Sequence, residues 1–194
     1  MIAALKLPCH ITRAAVLAAA ALLATSCAAS VNTGPLGKGG TSGGICQPVH
    51  PGNVVSWGQT DLFNTGSSDA IIESVSLVQP QHVRLIAAYV VPITGLLDYG
   101  DWNGPPQRVP HQAGVQWARH TRARGAHVPP RHGLPHADLV AVLKPTARVA
   151  KALALRVRYR EAGTQYVMQT NFRLVFLWGG LNACPSNWLR KYPG

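Results

Sequence analysis

The residues with the clearest chemical potential are the arginines and histidines of one acid-free segment. Residues 102–137 contain no Asp or Glu, but five Arg and five His. A guanidinium binds phosphate and carboxylate groups through paired hydrogen bonds, and an imidazole becomes positively charged below about pH 6.5. The composition therefore predicts an anionic-surface patch made by Arg108, Arg119, Arg122, Arg124 and Arg131, strengthened at acid pH by His111, His120, His127, His132 and His136.

Two other interpretations of this segment stay open. His132 and His136 are four residues apart, a spacing that suits a metal ion on a helix, and they suggest an envelope metal-binding or delivery protein. Gly133 and Pro135 lie between them and prevent the helical face that such spacing normally uses. The segment is also compatible with a solvated basic loop that has no specific partner, because charge runs commonly face water.

The chain carries no pattern typical of an enzyme. Its seven carboxylates fall mostly in predicted turns or at strand ends, and the close pair Asp98 and Asp101 lies beside glycines that favour a turn. Residues 40–44 match the motif G-x-S-x-G, but no strand precedes them to hold Ser42 on a rigid turn. Zinc-protease and nucleotide-binding motifs are absent from the sequence. We therefore predict a non-enzymatic protein with no catalytic residue and no cofactor.

Residues 1–26 have the features of an export signal. Lys6 and Arg13 precede an apolar run over residues 14–24, which is too short to span a bilayer. The letters LATSC at residues 23–27 resemble the lipobox of bacterial lipoprotein signal peptides, in which the cysteine becomes the mature N-terminus and carries a diacylglycerol. The resemblance implies lipidation at Cys27 and a location on the outer face of the bacterial cytoplasmic membrane. An ordinary cleaved signal followed by secretion stays open.

The remaining cysteines define the predicted domain. Cys9 leaves with the signal, so Cys46 and Cys184 are expected to form a disulfide in the oxidising envelope. Residues 27–45 are predicted to be a lipidated N-terminus and a flexible linker rich in Gly, Ser and Thr. Residues 46–184 then form one domain, and residues 185–194 form a C-terminal tail.

The net charge indicates the class of partner. The chain has 18 Lys and Arg against 7 Asp and Glu, and its charge of +11 falls to +9 without Lys6 and Arg13. Such an excess favours anionic phospholipid headgroups or envelope polymers. We expect the membrane as a partner through the lipid anchor, and an anionic envelope component or an envelope protein as a second. Nucleic acid is not expected because the protein is exported.

The longest alternating pattern, over residues 153–178, predicts one β-hairpin. With Ala162 and Gly163 at its tip, both apolar faces lie on the same side, and a looser four-residue turn with the same register fits equally well. The predicted cross-strand pairs are Tyr159 with Tyr166, Val157 with Met168 and Leu153 with Phe172.

The opposite face of this hairpin is basic. Arg156, Arg158 and Arg160 alternate with the apolar residues, and Arg173 is a further candidate. They either keep an edge strand soluble and unpaired or extend the basic patch. The sequence does not place them beside residues 102–137.

Further short alternating runs predict an all-β fold. Strands are expected at residues 54–63, 70–78, 82–91 and 138–143, with a long irregular insertion over residues 92–137. Together with the hairpin they predict an antiparallel immunoglobulin-like sandwich of about seven strands. A helix over residues 147–155 stays open, because Ala and Leu favour it.

Two motifs carry a family resemblance. The letters FNTG at residues 63–66, followed by the apolar run at residues 71–77, resemble the opening of bacterial exported immunoglobulin-like domains. The letters RYR at residues 158–160, with Tyr166 after the turn, resemble their closing hairpin. The layout is similar to that of uncharacterised actinobacterial-type lipoproteins with such a domain. The antibody pattern of Cys, Trp and Cys within the sheets is absent, so the resemblance implies a fold and a location but no activity.

Overall fold

The computed structural model describes residues 34–38, 43–94, 99–108, 114–131 and 137–192, and the predicted all-β fold is confirmed. In these ranges one four-residue helix, α1, covers Trp188–Lys191, and short 3₁₀ turns cover Pro106–Arg108, Trp117–Arg119 and Leu181–Ala183. Among the described residues, no helix has the length and apolar character needed to cross a membrane. The described strands are β1 Leu36–Lys38, β2 Gly43–Val49, β3 Val55–Gly58, β4 Asp61–Asn64, β5 Ala70–Val78, β6 Val83–Pro92, β7 Gly100–Asn103, β8 Thr121–Arg122, β9 His127–Val128, β10 Ala137–Pro145, β11 Val149–Ala152, β12 Ala154–Glu161, β13 Thr164–Gln169 and β14 Phe172–Trp178.

The largest sheet, sheet A, is organised around β10. One side of β10 pairs with β6, and the other side pairs with β3 and then β4, all antiparallel. The predicted strand at residues 54–63 is therefore broken into β3 and β4, because the register shifts by one residue between the Trp57–Ala141 and Leu62–Ala137 pairs. Strands β1, β7 and β8 extend β4, β3 and β6 respectively.

The long hairpin forms, but it bends between two sheets. The predicted pairs Tyr159–Tyr166 and Val157–Met168 are confirmed, and Ala162 and Gly163 form a two-residue tip with φ of 45° and 81°. Positive φ at both positions matches the twist of the flanking strands. The predicted Leu153–Phe172 pair is wrong, because the ladder ends at Arg156–Gln169 and resumes one residue out of register.

One extra residue in the second arm produces this bend. The Oγ1 of Thr170 accepts the backbone N–H of Leu155, and the N–H of Thr170 donates to the Leu155 carbonyl. Beyond this point Ala152 pairs with Leu174. An unmatched residue in one strand turns the ladder, which lets β11 and β14 leave the sheet that contains β12 and β13.

The two arms of the hairpin belong to sheets B and C. Sheet C has the order β13-β12-β5-β9, and sheet B has the order β11-β14-β2, in which β2 runs parallel to β14. The helix left open over residues 147–155 does not form. Ala150, Ala152 and Ala154 are buried at every second position, which is the period of a strand.

A single main core lies between sheet A and sheets B and C. Val55 and Trp57 of β3 face it, and Trp57 stacks on Phe172 of β14 with ring centroids 5.5 Å apart. Leu139, Ala141 and Leu143 of β10 also face this core, whereas Val140 and Val142 face the other side of sheet A. Both faces of β10 are therefore buried.

The insertion supplies the layer that buries the outer face of sheet A. Tyr99, Trp102, Val115 and Trp117 pack with Val140 and neighbouring residues in a second apolar cluster. The start of the insertion pairs with its middle, since the N–H of Thr94 donates to the Gly114 carbonyl at 2.8 Å. In its described parts, 99–108 and 114–131, the insertion is thus a packed layer of the domain.

A buried carboxylate fastens this layer to sheet A. Asp138, which has no exposed surface, accepts the Thr60 N–H on Oδ1 at 3.0 Å and the Tyr99 N–H on Oδ2 at 2.8 Å. Burial also raises the pKa of the Tyr99 phenol above its ordinary value. Asp138 therefore serves as a structural anchor for the insertion.

The predicted disulfide is present, and the domain extends further than its two cysteines. Cys46 in β2 is bonded to Cys184 after β14, with Cα atoms 5.8 Å apart. Residues 36–38 and 43–45, which composition assigns to a flexible linker, form β1 and the start of β2. Composition misleads here because the glycines allow close packing: a Cβ at Gly44 would meet the Trp188 ring.

Candidate anion-binding surface

Two β-bulges face each other at an open side of the domain. In β5 the partners of Tyr159 and Arg158 are Ile72 and Ser74, so Glu73 is an extra residue. In β6 the partners of Leu143 and Val142 are Leu85 and Ala87, so Ile86 is an extra residue. A bulge redirects its side chain and ends regular pairing. Ile86 is consequently 47% exposed, although its strand lies over the core.

The insertion closes half of this open side. β8 pairs with Tyr89 and Val90 of β6, and β9 pairs with the first residues of β5. Between them the N–H of Gly125 donates to the Ile72 carbonyl at 2.7 Å. The segment over residues 121–128 therefore joins the edges of sheets A and C by main-chain hydrogen bonds.

The other half of the open side is a cleft of about 500 Å³. Residues 73–75 of β5 form one wall, and residues 85–88 of β6 form the other. Arg122 and Arg124 lie at the closed end, both exposed. The Arg122 guanidinium lies over the Tyr89 ring, 4.8 Å from its centroid, which favours an ordered position for this cation.

An aromatic stack positions the chain that leads to these arginines. The His120 ring lies flat on Trp117 with centroids 4.2 Å apart, and its Nδ1 is 2.7 Å from the Trp117 carbonyl oxygen. Tyr89 packs edge-on against both rings. His120, an expected contributor to charge at acid pH, is thus part of the packing that supports Arg122.

The hairpin arginines form a second part of the same surface. Arg156, Arg158 and Arg160 alternate along the outer face of β12, with residues of β5 on one side and of β13 on the other. A shallow cleft of about 270 Å³ lies beside them, lined by Glu73, Arg158, Gln165, Tyr166 and Val167. Since β12 is paired on both sides, these arginines do not protect an exposed strand edge.

Glu73 connects the two parts. It borders both clefts, lies 4.0 Å from the Arg160 guanidinium and accepts a hydrogen bond from the Gln165 amide at 3.3 Å. It is the one carboxylate among the described residues that line either cleft. We call the whole region the arginine surface. It is formed by Arg122, Arg124, Arg158 and Arg160 around Glu73 and by Arg156 further along the same face of β12.

The structure thus redistributes the predicted five-arginine patch. Arg122 and Arg124 come together at the cleft, whereas exposed Arg119 donates to the Gln116 side chain on the outer layer of sheet A. Arg131 lies beyond β9, where its N–H donates to the Asn64 carbonyl at 2.8 Å. Arg108 ends a 3₁₀ turn, and its side chain is outside the described part.

The sequence contains one sign of the bulge at Glu73. Apolar residues facing the core occur at Ile72 and then at Val75, a spacing of three that breaks the period of two. Such a break marks an inserted residue, but it does not identify what the redirected side chain contacts.

The residues predicted to carry the lipid or to bind a metal ion lie outside the described residues. Cys27, His132 and His136 belong to segments that the structure does not describe. Elsewhere in the described ranges, His127 pairs with Asp69 at 3.0 Å. Those ranges contain no group of three His, Cys, Asp or Glu side chains placed to hold a metal ion.

A second buried carboxylate has a structural role near the hairpin tip. Glu161 accepts the backbone N–H groups of Ser67 and Ser68 on Oε1, at 3.0 and 3.2 Å. Asn64, fully buried, accepts the Gly66 N–H and donates to the Ser68 and Val128 carbonyls. The FNTG motif therefore fastens the β4–β5 loop.

No protein-family model, curated protein or solved structure matches this chain. The arginine surface is therefore interpreted from its own geometry. Exposed guanidinium groups flanked by serine and glutamine side chains suit phosphate or carboxylate groups, which accept paired hydrogen bonds from arginine.

Proposed function

We propose that the protein is an exported, lipid-anchored and non-enzymatic module of the bacterial cell envelope that binds an anionic envelope component. The lipobox-like letters at residues 23–27 support the anchor at Cys27. The packing of antiparallel sheets on a common core supports an immunoglobulin-like sandwich as the scaffold. Binding is assigned to the arginine surface.

The observation that carries this proposal is the position of Glu73 between two groups of arginines. Arg122 and Arg124 come from the insertion, and Arg158 and Arg160 come from the hairpin, yet both groups border one side chain. Four arginines bordering one carboxylate, with Arg156 further along β12, make a locally positive field that attracts polyanions. A scatter of solubilising charges does not require such convergence.

Metal binding through His132 and His136 is not carried further as a function. His132 and His136 lie outside the described residues, so no contact of theirs supports it, and the two described histidines of the insertion have other partners. His120 stacks on Trp117, and His127 pairs with Asp69.

The test is a titration of residues 28–194 with polyphosphate and with neutral dextran at several salt concentrations. The variant carries Arg→Gln at all five positions of the arginine surface. A matched control removes five exposed charges elsewhere, at Arg119, Lys144, Arg148, Arg190 and Lys191. Near-ultraviolet circular dichroism checks that both variants keep the fold.

We expect salt-sensitive binding of polyphosphate and none of dextran. The surface variant should bind at least about 100-fold more weakly, because each charge-assisted hydrogen bond contributes about 1 kcal/mol or more. The control should lose less than about tenfold. Equal losses in both variants would mean that net charge alone attracts the polymer, and the arginine surface would then not be a site.

A further inference from the structure

The chain enters the domain beside the hairpin tip. Gly34, the first described residue, lies against Tyr159 and Tyr166, where any Cβ would overlap both side chains. Two residues later the N–H of Leu36 donates to the Tyr159 hydroxyl at 3.1 Å. Tyr159 and Tyr166 are the third cross-strand pair from the tip along β12 and β13, next to the Arg160–Gln165 pair.

The distance from this entry point to the proposed anchor is short. Cys27 precedes Gly34 by seven residues, and a fully extended chain spans about 3.5 Å per residue, or at most about 25 Å. With a diacylglycerol on Cys27, the bilayer surface must come within that distance of Gly34. The turn at residues 79–82 lies at the opposite end of β5, about 23 Å along the strand from Ile72, and it serves as the comparison region in the experiment below.

The end of the domain nearest the entry point is basic. Arg160 is adjacent to Tyr159 in β12, and Arg158 lies on the same face. Arg131 is at this end too. Its backbone N–H donates to the Asn64 carbonyl, and the loop that follows Asn64 is hydrogen-bonded to Glu161. Arg122 and Arg124 continue the charge along the side, beyond Glu73.

We propose that the anionic component is the headgroup layer of the membrane that carries the anchor, and that the domain docks on it by the arginine surface. This inference rests on the proposed function and names its partner. The large exposed apolar side chains of the described residues are Ile86, Val149 and Leu189. Ile86 lines the cleft of the arginine surface, whereas Val149 and Leu189 line neither cleft. One apolar side chain among five arginines makes docking mainly electrostatic.

Docking of this kind orients the domain relative to the membrane. The diacylglycerol holds the chain at the surface, and the short tether keeps the arginines at a high effective concentration near the headgroups. Each basic residue at an anionic surface strengthens binding about fivefold. At 0.1 M salt this attraction falls off over a distance of about 10 Å.

The experiment attaches residues 27–194 to nanodiscs through the Cys27 thiol and a maleimide lipid. Cys46 and Cys184 are joined to each other, which leaves Cys27 as the free thiol of this segment. We expect this segment to fold, because all described strands belong to one compact unit that begins after the predicted signal. Hydrogen exchange is compared on discs with 30% phosphatidylglycerol and on discs of phosphatidylcholine alone.

On the anionic discs we expect slower exchange at residues 121–125 and 156–167 and no change at residues 79–82. Separately, unanchored residues 28–194 should partition onto phosphatidylglycerol vesicles about 25-fold more weakly after Arg158→Gln and Arg160→Gln. The matched pair Arg148→Gln and Arg190→Gln should change partitioning less than threefold.

The outcomes separate this inference from the proposed function. Polyphosphate binding without vesicle binding, or equal protection on both kinds of disc, would overturn membrane docking and leave the anionic-polymer function standing. If the wild-type protein binds neither polyphosphate nor anionic vesicles, the proposed function fails as well. Protection centred on residues 79–82 would show that the opposite end faces the membrane, and would also overturn the inference.

Discussion

Glu73 lies 4.0 Å from Arg160 across the outer face of sheet C, at a position that exists because β5 has one residue more than its partner. Its side chain is about one-third exposed, and the Arg160 side chain is half exposed. The pair therefore contributes little to stability, since exposed ion pairs are worth about 0–1 kcal/mol. Its importance lies in placing a negative charge at the centre of a positive surface.

The first prediction concerns Glu73→Gln. Removal of this charge should strengthen binding to polyphosphate or anionic vesicles about fivefold, since one unfavourable charge leaves the site. The free energy of unfolding should change by less than about 1 kcal/mol. Titration and denaturant unfolding measure the two effects.

A matched control is available for this variant. Asp69→Asn changes the charge equally but lies four residues earlier, about 13 Å along the chain and beyond one screening length at 0.1 M salt. It should alter the affinity for polyphosphate less than twofold, because Asp69 lines neither cleft. Equal gains from both substitutions would mean that affinity follows net charge and not the arrangement at Glu73.

The second prediction tests the fastening of the β4–β5 loop. A Cβ at Gly66 would overlap the Glu161 carboxylate, which is buried and holds the loop N–H groups. Gly66→Ala should therefore destabilise the domain by about 1–3 kcal/mol, the usual cost of overpacking. Gly180→Ala is the control, because a Cβ there meets no atom within 4 Å. Similar midpoints of urea unfolding for the two variants would contradict the geometry.

The third prediction concerns the stability of the domain at alkaline pH. Burial raises the pKa of the Tyr159 phenol above its ordinary value of 10.0, and its hydroxyl accepts the Leu36 N–H. The folded state thus binds this proton more tightly than the unfolded state does. The resulting stability is fully present below pH 10 and is lost as the pH rises through the folded pKa.

Tyr159→Phe isolates this contribution. At pH 8 the variant should lose about 1–3 kcal/mol, because the buried Leu36 N–H has no acceptor. Between pH 9 and 11 its free energy of unfolding should fall less steeply than that of the wild type. Parallel pH profiles from guanidinium unfolding would show that Tyr159 does not carry the linkage.

The fourth prediction concerns the disulfide that joins β2 to the end of the chain. Cys46 and Cys184 are separated by 138 residues, and in the chain-entropy model closing such a loop stabilises the fold by about 4–5 kcal/mol. The double substitution Cys46→Ala and Cys184→Ala should lower the unfolding free energy by a similar amount. The same loss should follow from adding reductant to the wild type. A change below 1 kcal/mol would refute a large entropic contribution.

Local sequence patterns determined much of the fold. The alternation around Tyr159 and Tyr166 specified the hairpin register, because a shift of one residue would place the two apolar faces on opposite sides. Residues 70–78 form the predicted strand, and the runs at residues 82–91 and 138–143 form strands with ends shifted by one or two residues. The cysteines that remained after the predicted signal were sufficient to identify the disulfide.

Other features depended on contacts between distant residues. Alternation continues through Thr170, so it gave no sign that the hairpin bends there into a second sheet. The glycine-rich segment that resembled a linker contains β1, which pairs with β4 more than 20 residues later. Both outcomes were decided by packing against the core and not by local preference.

The sequence by itself determined an all-β domain, the register of its hairpin, its disulfide and the presence of a basic insertion. Only the tertiary structure decided which arginines meet. Arg122 and Arg158 are 36 residues apart, and they share a surface because β5 lies between them with Glu73 displaced by a bulge. A period of two assigns each side chain to a face of its own strand. The neighbours of that face are set by strand order and by inserted residues, which follow from the packing of the whole domain.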